Sequence, residues 1–285
     1  MALTLAASVA FAAPPAPRKA LIVDGRNNHD WKATTPILKR LLEQTGLFTV
    51  DVATAPADDA ALQSFHPGFS AYAVVVLNYN DAGAWPQATR DGFLAYVSNG
   101  GGIVSYHAAD NAFPFWPEFN KVIGVGGWGG RKSGGGMVMV RWRGGQTVRD
   151  DSPQPCGSHG PRHAFVVETR DPGHPINRGL PARWMHNTDE LYNSLCGPAE
   201  QITILSTAFS PTEKNGTGEN EPVLMAVRYG RGRVFHTTLG HDPEAMRCAG
   251  FIATFQRGAE WAATGQVTQP VPPDFPSADK PSLRD

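Results

Sequence analysis

Strand patterns alternate with helix patterns over the first hundred residues of the chain. Strands are predicted at 19–24, 48–53 and 71–78 and directly after Gly100, and helices at 34–44 and 87–98. Strands that alternate with helices cannot pair as hairpins, so the alternation predicts a parallel sheet with helices on both faces. The chain is therefore expected to have an α/β fold with a mainly parallel central sheet.

The second half of the chain has a different pattern. Its predicted strands have no helices between them and lie at 137–143, 165–168, 202–206, 223–229 and 233–238. Gly230-Arg231-Gly232 joins the last two as a predicted hairpin. Helical spacing returns at 243–262, and the Pro-rich tail 264–285 has little core potential. We therefore expect one elaborated domain over 19–263, with strands added to the sheet in its second half.

The composition restricts the class of partner. The 285 residues include 25 basic and 26 acidic side chains, so the formal net charge is −1. The two signs are interspersed, which leaves no basic surface for nucleic acid or for an anionic membrane. The expected partner is a small, neutral molecule and no nucleic acid.

The chain begins with an apolar segment, 1–13, that ends in Ala10-Phe11-Ala12 and leads into prolines. This pattern is typical of a secretory signal with an A-x-A cleavage site. A run of about 12 apolar residues is too short to span a bilayer, so stable membrane insertion is not expected. We assign 1–18 to a signal peptide and Pro-rich linker and predict a periplasmic or secreted protein.

The three cysteines fit the same location. Cys156, Cys196 and Cys248 form no C-x-x-C pair, and they are compatible with one disulfide and one free thiol in an oxidising compartment. The sequence leaves the pairing open.

Polar, metal-coordinating side chains follow several predicted strands. His29 follows the first strand, His107 the fourth and His241 the last, while Asp189 and Glu190 lie together in a polar stretch. Parallel strands end at one edge of a sheet, where ligands of open α/β folds bind, so we expect the three histidines to face one cleft. Three imidazoles and a carboxylate suit a divalent metal such as Zn or Mn, or general acid–base chemistry without a metal.

Several neighbouring side chains have simpler interpretations. Asp30 and Asp242 each precede a predicted helix and are expected to cap it. The remaining histidines lie in loop-like sequence, and surface positions are expected for His66, His159, His163, His174 and His186.

The glycine-rich segment 124–136 is a candidate rim of the cleft. It lacks the Gly-Lys-Ser/Thr ending of a phosphate-binding loop, and no nucleotide cofactor is expected. Such a segment beside a cleft would make a mobile lid. Within it, Trp128 could stack on a sugar ring or merely plug the loop, and Arg131 could bind hydroxyls or a carboxylate.

Four motifs together resemble the ThuA-like (trehalose utilisation) family. They are GGGIVSYHAA at 100–109, HPINRGLP at 174–181, DELY at 189–192 and GRVFHTTLGHD at 232–242. The resemblance implies a class I glutamine amidotransferase-like, flavodoxin-like three-layer sandwich.

The resemblance also argues against amidotransfer by this chain. In the amidotransferases a cysteine nucleophile occupies the strand–helix elbow, and here that position falls on His107. Glu244 comes three residues after His241, where amidotransferases place a glutamate two residues after the histidine. Without a thiol the covalent route is lost, which leaves acid–base or metal-assisted chemistry.

The family's link to disaccharide catabolism implies an enzyme acting on a sugar or 3-keto-sugar, an isomerase, lyase or glycoside-processing enzyme. The expected catalytic residues are His107, His241 and Glu190. The same three residues and His29 are the expected metal ligands. The expected substrate contacts are Trp128, Arg131, Asn28 and Tyr192.

Two alternatives stay open. The chain could be a carbohydrate-binding module with a vestigial site, in which Trp116, Trp128 and the histidines bind without turnover. It could also be a metal-dependent hydrolase of ordinary glycosides or esters. Serine hydrolysis is not expected, because Ser105 stands two residues before the elbow and no G-x-S-x-G motif surrounds it.

Overall fold

The computed structural model describes residues 16–285, so residues 1–15 of the predicted signal segment lie outside the described part of the chain. The strands are β1 (Arg18–Asp24), β2 (Phe48–Thr54), β3 (Val74–Leu77), β4 (Gly102–Tyr106), β5 (Val138–Arg143), β6 (Gln146–Asp150), β7 (Ser158–His159), β8 (His163–Thr169), β9 (Arg183–Asp189), β10 (Tyr192–Asn193), β11 (Cys196–Gly197), β12 (Ile202–Ser210), β13 (Glu219–Tyr229) and β14 (Gly232–Thr237). The α-helices are α1 (Trp31–Glu43), α2 (Asp59–Leu62), α3 (Gln87–Ser98), α4 (Pro117–Ile123), α5 (Pro243–Met246) and α6 (Ala249–Thr264).

One large sheet organises the molecule. Its strands follow the order β2-β1-β3-β4-β14-β13-β12-β8-β9, and β5, β6 and β11 attach beside β13. The first five strands of this order are mutually parallel. Each later strand is antiparallel to its neighbour, beginning with the predicted β13–β14 hairpin. The mainly parallel sheet with strands added in the second half is thereby confirmed.

Alternation along β3 shows how the helices form two outer layers. Val74 and Val76 pack with apolar residues of α1 and α6, whereas Val75 and Leu77 pack with those of α3 and α4. Successive side chains of a strand point to opposite faces, so a strand whose residues are all apolar must be covered on both. The result is the expected three-layer sandwich.

The carboxyl ends of the five parallel strands lie at one edge of the sheet. Four successive antiparallel pairings separate β14 from β9, so β9 has the same sense along the sheet as β14. β9 also packs against α5 and α6. The sheet therefore curls, and the end of β9 returns to the ends of β4 and β14.

Three predictions about single elements differ from the structure. The third strand is only Val74–Leu77, because a 3₁₀ turn occupies Phe69–Ala71. The helical segment 243–262 is two helices, since α5 ends at Met246 and α6 starts at Ala249. The strand β9 was not predicted, because its sequence RWMHNTD has no regular alternation of apolar residues.

The Pro-rich tail is packed against the domain, although its sequence suggested little core potential. Phe275 packs on the ring of Trp184, and the Ser277 carbonyl accepts the N–H of Met185. No helix within residues 16–285 is long and apolar enough to cross a membrane.

Candidate functional site

Four side chains from distant parts of the chain converge at the carboxyl edge of the sheet. His29, His107, Glu190 and His241, here called the His–Glu cluster, offer one ligand atom each, and these atoms all lie within 4.8 Å of one another. They follow β1, β4, β9 and β14, whose carboxyl ends meet at that edge. The structure thus brings together all of the predicted metal ligands and predicted catalytic residues.

One carboxylate oxygen is the centre of the His–Glu cluster. Glu190 Oε2 lies 3.0 Å from His241 Nδ1, 3.7 Å from His107 Nε2 and 3.9 Å from His29 Nε2. His241 Nδ1 also lies 3.3 Å from His107 Nε2. The donor atoms of the three rings therefore surround the same small volume as the carboxylate.

His107 has a fixed orientation at the end of β4. Its φ of 44° lies in the left-handed region, a strained conformation for a side chain with a Cβ. Its Nδ1 lies 2.6 Å from the Thr238 carbonyl oxygen, which can only accept, so Nδ1 carries the proton. The unprotonated Nε2 then faces the cluster, where the Tyr192 hydroxyl lies 3.0 Å away.

His29 is oriented by the asparagines next to it. The Asn27 side chain accepts the backbone N–H of His29, and Asn28 Oδ1 lies 3.0 Å from His29 Nδ1. With Nδ1–H donated to Asn28, the lone pair of Nε2 points to Glu190. Asn80 also donates to Asn28 Oδ1, so the predicted substrate contact Asn28 lies at the cleft but uses its oxygen to hold His29.

A buried carboxylate behind the cluster holds the His241 loop. Asp189 accepts the backbone N–H groups of Gly240 at 2.6 Å and of His241 at 3.1 Å. His186 Nε2 lies 2.7 Å from the same carboxylate, and both side chains are fully buried. The predicted surface position of His186 is therefore wrong, because the paired carboxylate compensates the cost of burying the ring.

Charge interactions shift the pKa values of the cluster. Burial alone would raise the pKa of Glu190, but the three surrounding histidines hold it well below its usual range. Burial alone would lower the pKa of His107, but Glu190, Asp189 and the Thr238 carbonyl outweigh it and raise that pKa. Burial lowers the pKa of His29, and the neighbouring histidines add to the effect. The cluster thus holds an ionised carboxylate beside imidazoles of unequal basicity.

The donor set fits a divalent metal ion. Four ligands about 2.0–2.1 Å from a tetrahedral Zn²⁺ are roughly 3.3 Å from one another. The separations are 3.0–3.9 Å around Glu190 Oε2 and 3.3 Å between two ring nitrogens, and no two ligand atoms of the cluster are more than 4.8 Å apart, so the set is close to this spacing. Backbone carbonyls and amides that fix the far nitrogen of a ligating histidine are also typical of metal sites.

His29, Glu190 and His241 of the His–Glu cluster form the floor of an open cleft of about 830 Å³, whereas His107 is buried and does not line it. One wall is aromatic and contains Trp128, Tyr192 and His159. The rest of the lining includes amides and charged groups, namely Arg26, Asn27, Asn28, Asn80, Asp81 and Asn111. Arg26 is already paired with Asp59 and Asp81.

The predicted lid is a fixed wall. Gly126 exchanges backbone hydrogen bonds with Cys196, and the N–H of Trp128 donates to the Cys156 carbonyl. Cys156 and Cys196 form a disulfide, and Cys248 is a buried free thiol. Trp128 packs edge-on against Tyr192, with 4.7 Å between ring centroids, so its indole is held at the mouth of the cleft.

Arg131 and Trp116 were considered as ligand contacts from the sequence, but neither side chain reaches the cleft. Arg131 is buried, and its guanidinium donates to the Asn120 side chain and to the carbonyls of Asn111, Ala112 and Gly127. It therefore braces the loop and makes no contact with a ligand in the cleft. Trp116 is buried among the aromatic rings of the α3–α4 layer and is not available to bind a sugar.

Other cleft residues were not predicted. Asn80 and Asp81 follow β3, and the rule of parallel strand ends that selected the three histidines could have selected them. Asp30 and Asp242 cap α1 and α5 as expected and also line the cleft. His159 was assigned to the surface and is exposed, but its exposed face lies in the cleft.

Comparisons with known proteins point to one family. The family model described as ThuA, trehalose utilisation, matches residues 19–262. A ThuA-like protein from Parabacteroides merdae is 48% identical, with a TM-score of 0.90 over 94% of this chain and 98% of that chain. A ThuA-like protein from Bacteroides uniformis shares the fold at 20% identity, with a TM-score of 0.58 over 92% of this chain and 97% of that chain. No curated protein sequence matches the chain.

Proposed function

Because the chain belongs to the ThuA, or trehalose utilisation, family, we propose that it is an enzyme that acts on a sugar or a 3-keto-sugar. The observation that carries the proposal is the His–Glu cluster at the floor of an open cleft. Glutamine amidotransfer is not proposed, because His107 occupies the position of the nucleophile.

We propose that the His–Glu cluster holds a divalent cation, Zn or Mn. His29 Nε2, His107 Nε2, His241 Nδ1 and Glu190 Oε2 would be its ligands. When bound, the cation would polarise a carbonyl group and stabilise negative charge on the substrate. In a metal-free version of the same proposal, His107, His241 and Glu190 are themselves the acid and base.

The walls of the cleft support a carbohydrate ligand. A pyranose ring has apolar faces of C–H groups and an edge of hydroxyls. The indole of Trp128 offers a flat surface to such a face. Asn80 offers an amide that can both donate to and accept from hydroxyl groups.

A 3-keto-sugar suits this chemistry because its carbonyl acidifies the neighbouring C–H bond. Removal of that proton gives an enediolate, whose negative charge needs an electrostatic partner. Isomerisation, epimerisation and elimination of a glycosidic leaving group all begin with this step. The closely spaced basic and cationic groups of the cluster match its demands.

Metal analysis and turnover test the proposal together. Purified wild-type protein, His107→Ala and the shape-conserving Glu190→Gln are analysed for metal and incubated with 3-keto-trehalose and 3-keto-glucosides. We expect near-stoichiometric metal and turnover in the wild type, with both lost in the variants. His66→Ala is the matched control, because His66 is exposed near the amino ends of β3 and β4, at the opposite edge of the sheet.

Other outcomes discriminate among the alternatives. Turnover by a metal-free wild type would select the acid–base version. Tight binding of a disaccharide with no product would select the carbohydrate-binding module and refute the enzyme.

We further propose that the protein works in an oxidising compartment, periplasmic or secreted. The Cys156–Cys196 disulfide supports this proposal, since such bonds persist outside the reducing cytosol. Protein isolated without reductant and then denatured should titrate as one thiol per chain, that of Cys248. Three thiols would contradict the proposal.

A further inference from the structure

A fourth histidine lies on the aromatic wall of the cleft, outside the His–Glu cluster. His159 belongs to β7, which pairs with β10 so that His159 is opposite Tyr192. Its ring stacks on the Tyr192 ring at 5.9 Å and lies 6.0 Å from that of Trp128. The imidazole thus lies beside the Trp128–Tyr192 pair, and the three rings form one cluster on this wall.

The orientation of His159 exposes a basic nitrogen to the cleft. Nδ1 lies 2.9 Å from the Gly160 carbonyl oxygen, an acceptor, so Nδ1 carries the proton in the neutral ring. Nε2 then has the lone pair and lies 3.8 Å from Glu190 Oε1. The three cluster histidines instead approach the other oxygen, Oε2. His159 therefore adjoins the cluster without contributing to its donor set.

The other basic groups on the described part of the cleft are already engaged. Asp30 accepts the N–H of Ala33 as the cap of α1. Asp81 is paired with Arg26. Asp242 caps α5 and lies 2.8 Å from Arg162. When the His–Glu cluster holds a cation, its four ligand atoms are committed to that ion, and the remaining carboxylate oxygen, Glu190 Oε1, faces His159 Nε2.

We propose that His159 is the general base and acid that moves the substrate proton above the His–Glu cluster. The proposal rests on the proposed function in its metal-assisted version. His159 Nε2 lies beside the cluster and is 38% exposed on its side chain, so a sugar in the cleft can contact it directly.

In a 3-keto-glycoside, the proton that moves is the one on C2, next to the carbonyl carbon. His159 Nε2 takes the proton on C2, the C2–H electron pair forms the C2–C3 double bond, and the carbonyl π pair moves to the C3 oxygen. The imidazolium then returns the proton. Return of a solvent-exchanged proton to C2 gives the labelled ketone. Delivery of the proton to the C1 oxygen, as the C3 carbonyl re-forms, the double bond moves to C1–C2 and the C1–O bond breaks, gives an enone and an alcohol.

His159→Gln and His159→Ala test this role against a structural one. The readouts are metal content, uptake of deuterium from D₂O at C2 of 3-keto-trehalose, kcat and KM. Positioned general acid–base groups contribute roughly 10²–10⁴-fold, so we expect both kcat and deuterium uptake to fall by about 100-fold or more. Metal content should stay at the wild-type level. Added imidazole should restore exchange to His159→Ala and leave His107→Ala inactive.

The controls separate failure of this inference from failure of the proposed function. His66→Gln removes an exposed histidine at the opposite edge of the sheet and should match the wild type. A wild type that neither exchanges nor converts a keto-sugar overturns the proposed function and this inference with it. A wild type that does both, with His159→Gln within about threefold of it, overturns the inference alone. Loss of metal in parallel with activity, or no rescue by imidazole, assigns His159 a structural role.

Discussion

At the scale of single residues, one buried carboxylate organises the site without entering it. Asp189 collects the backbone N–H groups of Gly240 and His241 and pairs with His186. An amide in its place would keep the shape but lose the charge that balances a buried imidazolium. We therefore expect Asp189→Asn to lower the free energy of unfolding by about 3–5 kcal/mol. Metal affinity should fall roughly 10–100-fold, the usual effect of losing an outer-shell partner.

Urea unfolding and metal titration measure these effects. Asp91→Asn is a suitable control, since Asp91 is exposed on α3 and accepts a hydrogen bond from Gln87 of the same helix. Unchanged metal affinity in Asp189→Asn would show that the His241 loop holds its geometry without this carboxylate.

His186, the partner of Asp189, should make the free energy of unfolding depend on pH. Burial alone would lower the pKa of His186, but Cys248 and Asp189 outweigh it and raise that pKa to about 9. A pKa above the unfolded value stabilises the fold below about pH 6.5, and this stabilisation is lost as the pH rises through about 9. The full effect is on the order of 3 kcal/mol.

Wild-type protein should therefore exceed His186→Gln in unfolding free energy most strongly near pH 6. The difference should shrink between about pH 6.5 and 9. Denaturant titrations at pH 6, 7.5 and 9.5 test this expectation. A difference that is constant across the three pH values would mean that His186 is neutral in the folded protein.

At the scale of elements, two glycines lie inside helices, and packing requires a glycine at only one of these positions. A Cβ at Gly258 of α6 would lie 2.1 Å from Cδ1 of Phe235 in the core, whereas a Cβ at Gly92 of α3 would meet no atom within 4 Å. Gly258→Ala must displace a buried ring, and we expect a loss of about 1–3 kcal/mol. Gly92→Ala should gain about 0.5–1 kcal/mol, because alanine is the better helix former.

Thermal or urea unfolding of the two variants forms a matched comparison of the same substitution. Equal effects in both helices would contradict the close approach of α6 to the sheet.

At the scale of the whole molecule, the His–Glu cluster is formed by residues far apart in the sequence, from His29 to His241. A cation bound there stabilises the folded state by mass action, by about 2.7 kcal/mol at a concentration of 100 Kd. A chelator should therefore lower the Tm of the wild type and leave Glu190→Gln unchanged, and Zn or Mn should restore the wild-type value. Calorimetry with and without chelator measures both. An identical Tm in the two conditions would contradict metal binding.

Much of this architecture could be predicted from sequence, for a physical reason. His29, His107 and His241 follow strands whose apolar patterns are local, and parallel strands must end together. Glu190 follows β9, which lacks a strand pattern, so it was selected by its place in a polar stretch beside Asp189 and by the resemblance of DELY to a family motif. The positions of His159 and Arg131 depend on long-range contacts, with β10 and with the carbonyls of residues 111 and 112, that no local pattern records.

The number of antiparallel pairings between β14 and β9, which is four, determines at which edge of the sheet β9 ends. Glu190 meets the three histidines because an even number of antiparallel pairings gives β9 the same direction as β14, so that both strands end at one edge. A hairpin adds two strands, so hairpins can be inserted into or deleted from the second half without moving the carboxylate to the wrong side. One strand gained or lost would carry it to the far edge, roughly 17–20 Å away for a strand of ordinary length. The site thus leaves its scaffold free to change, but only in steps of two.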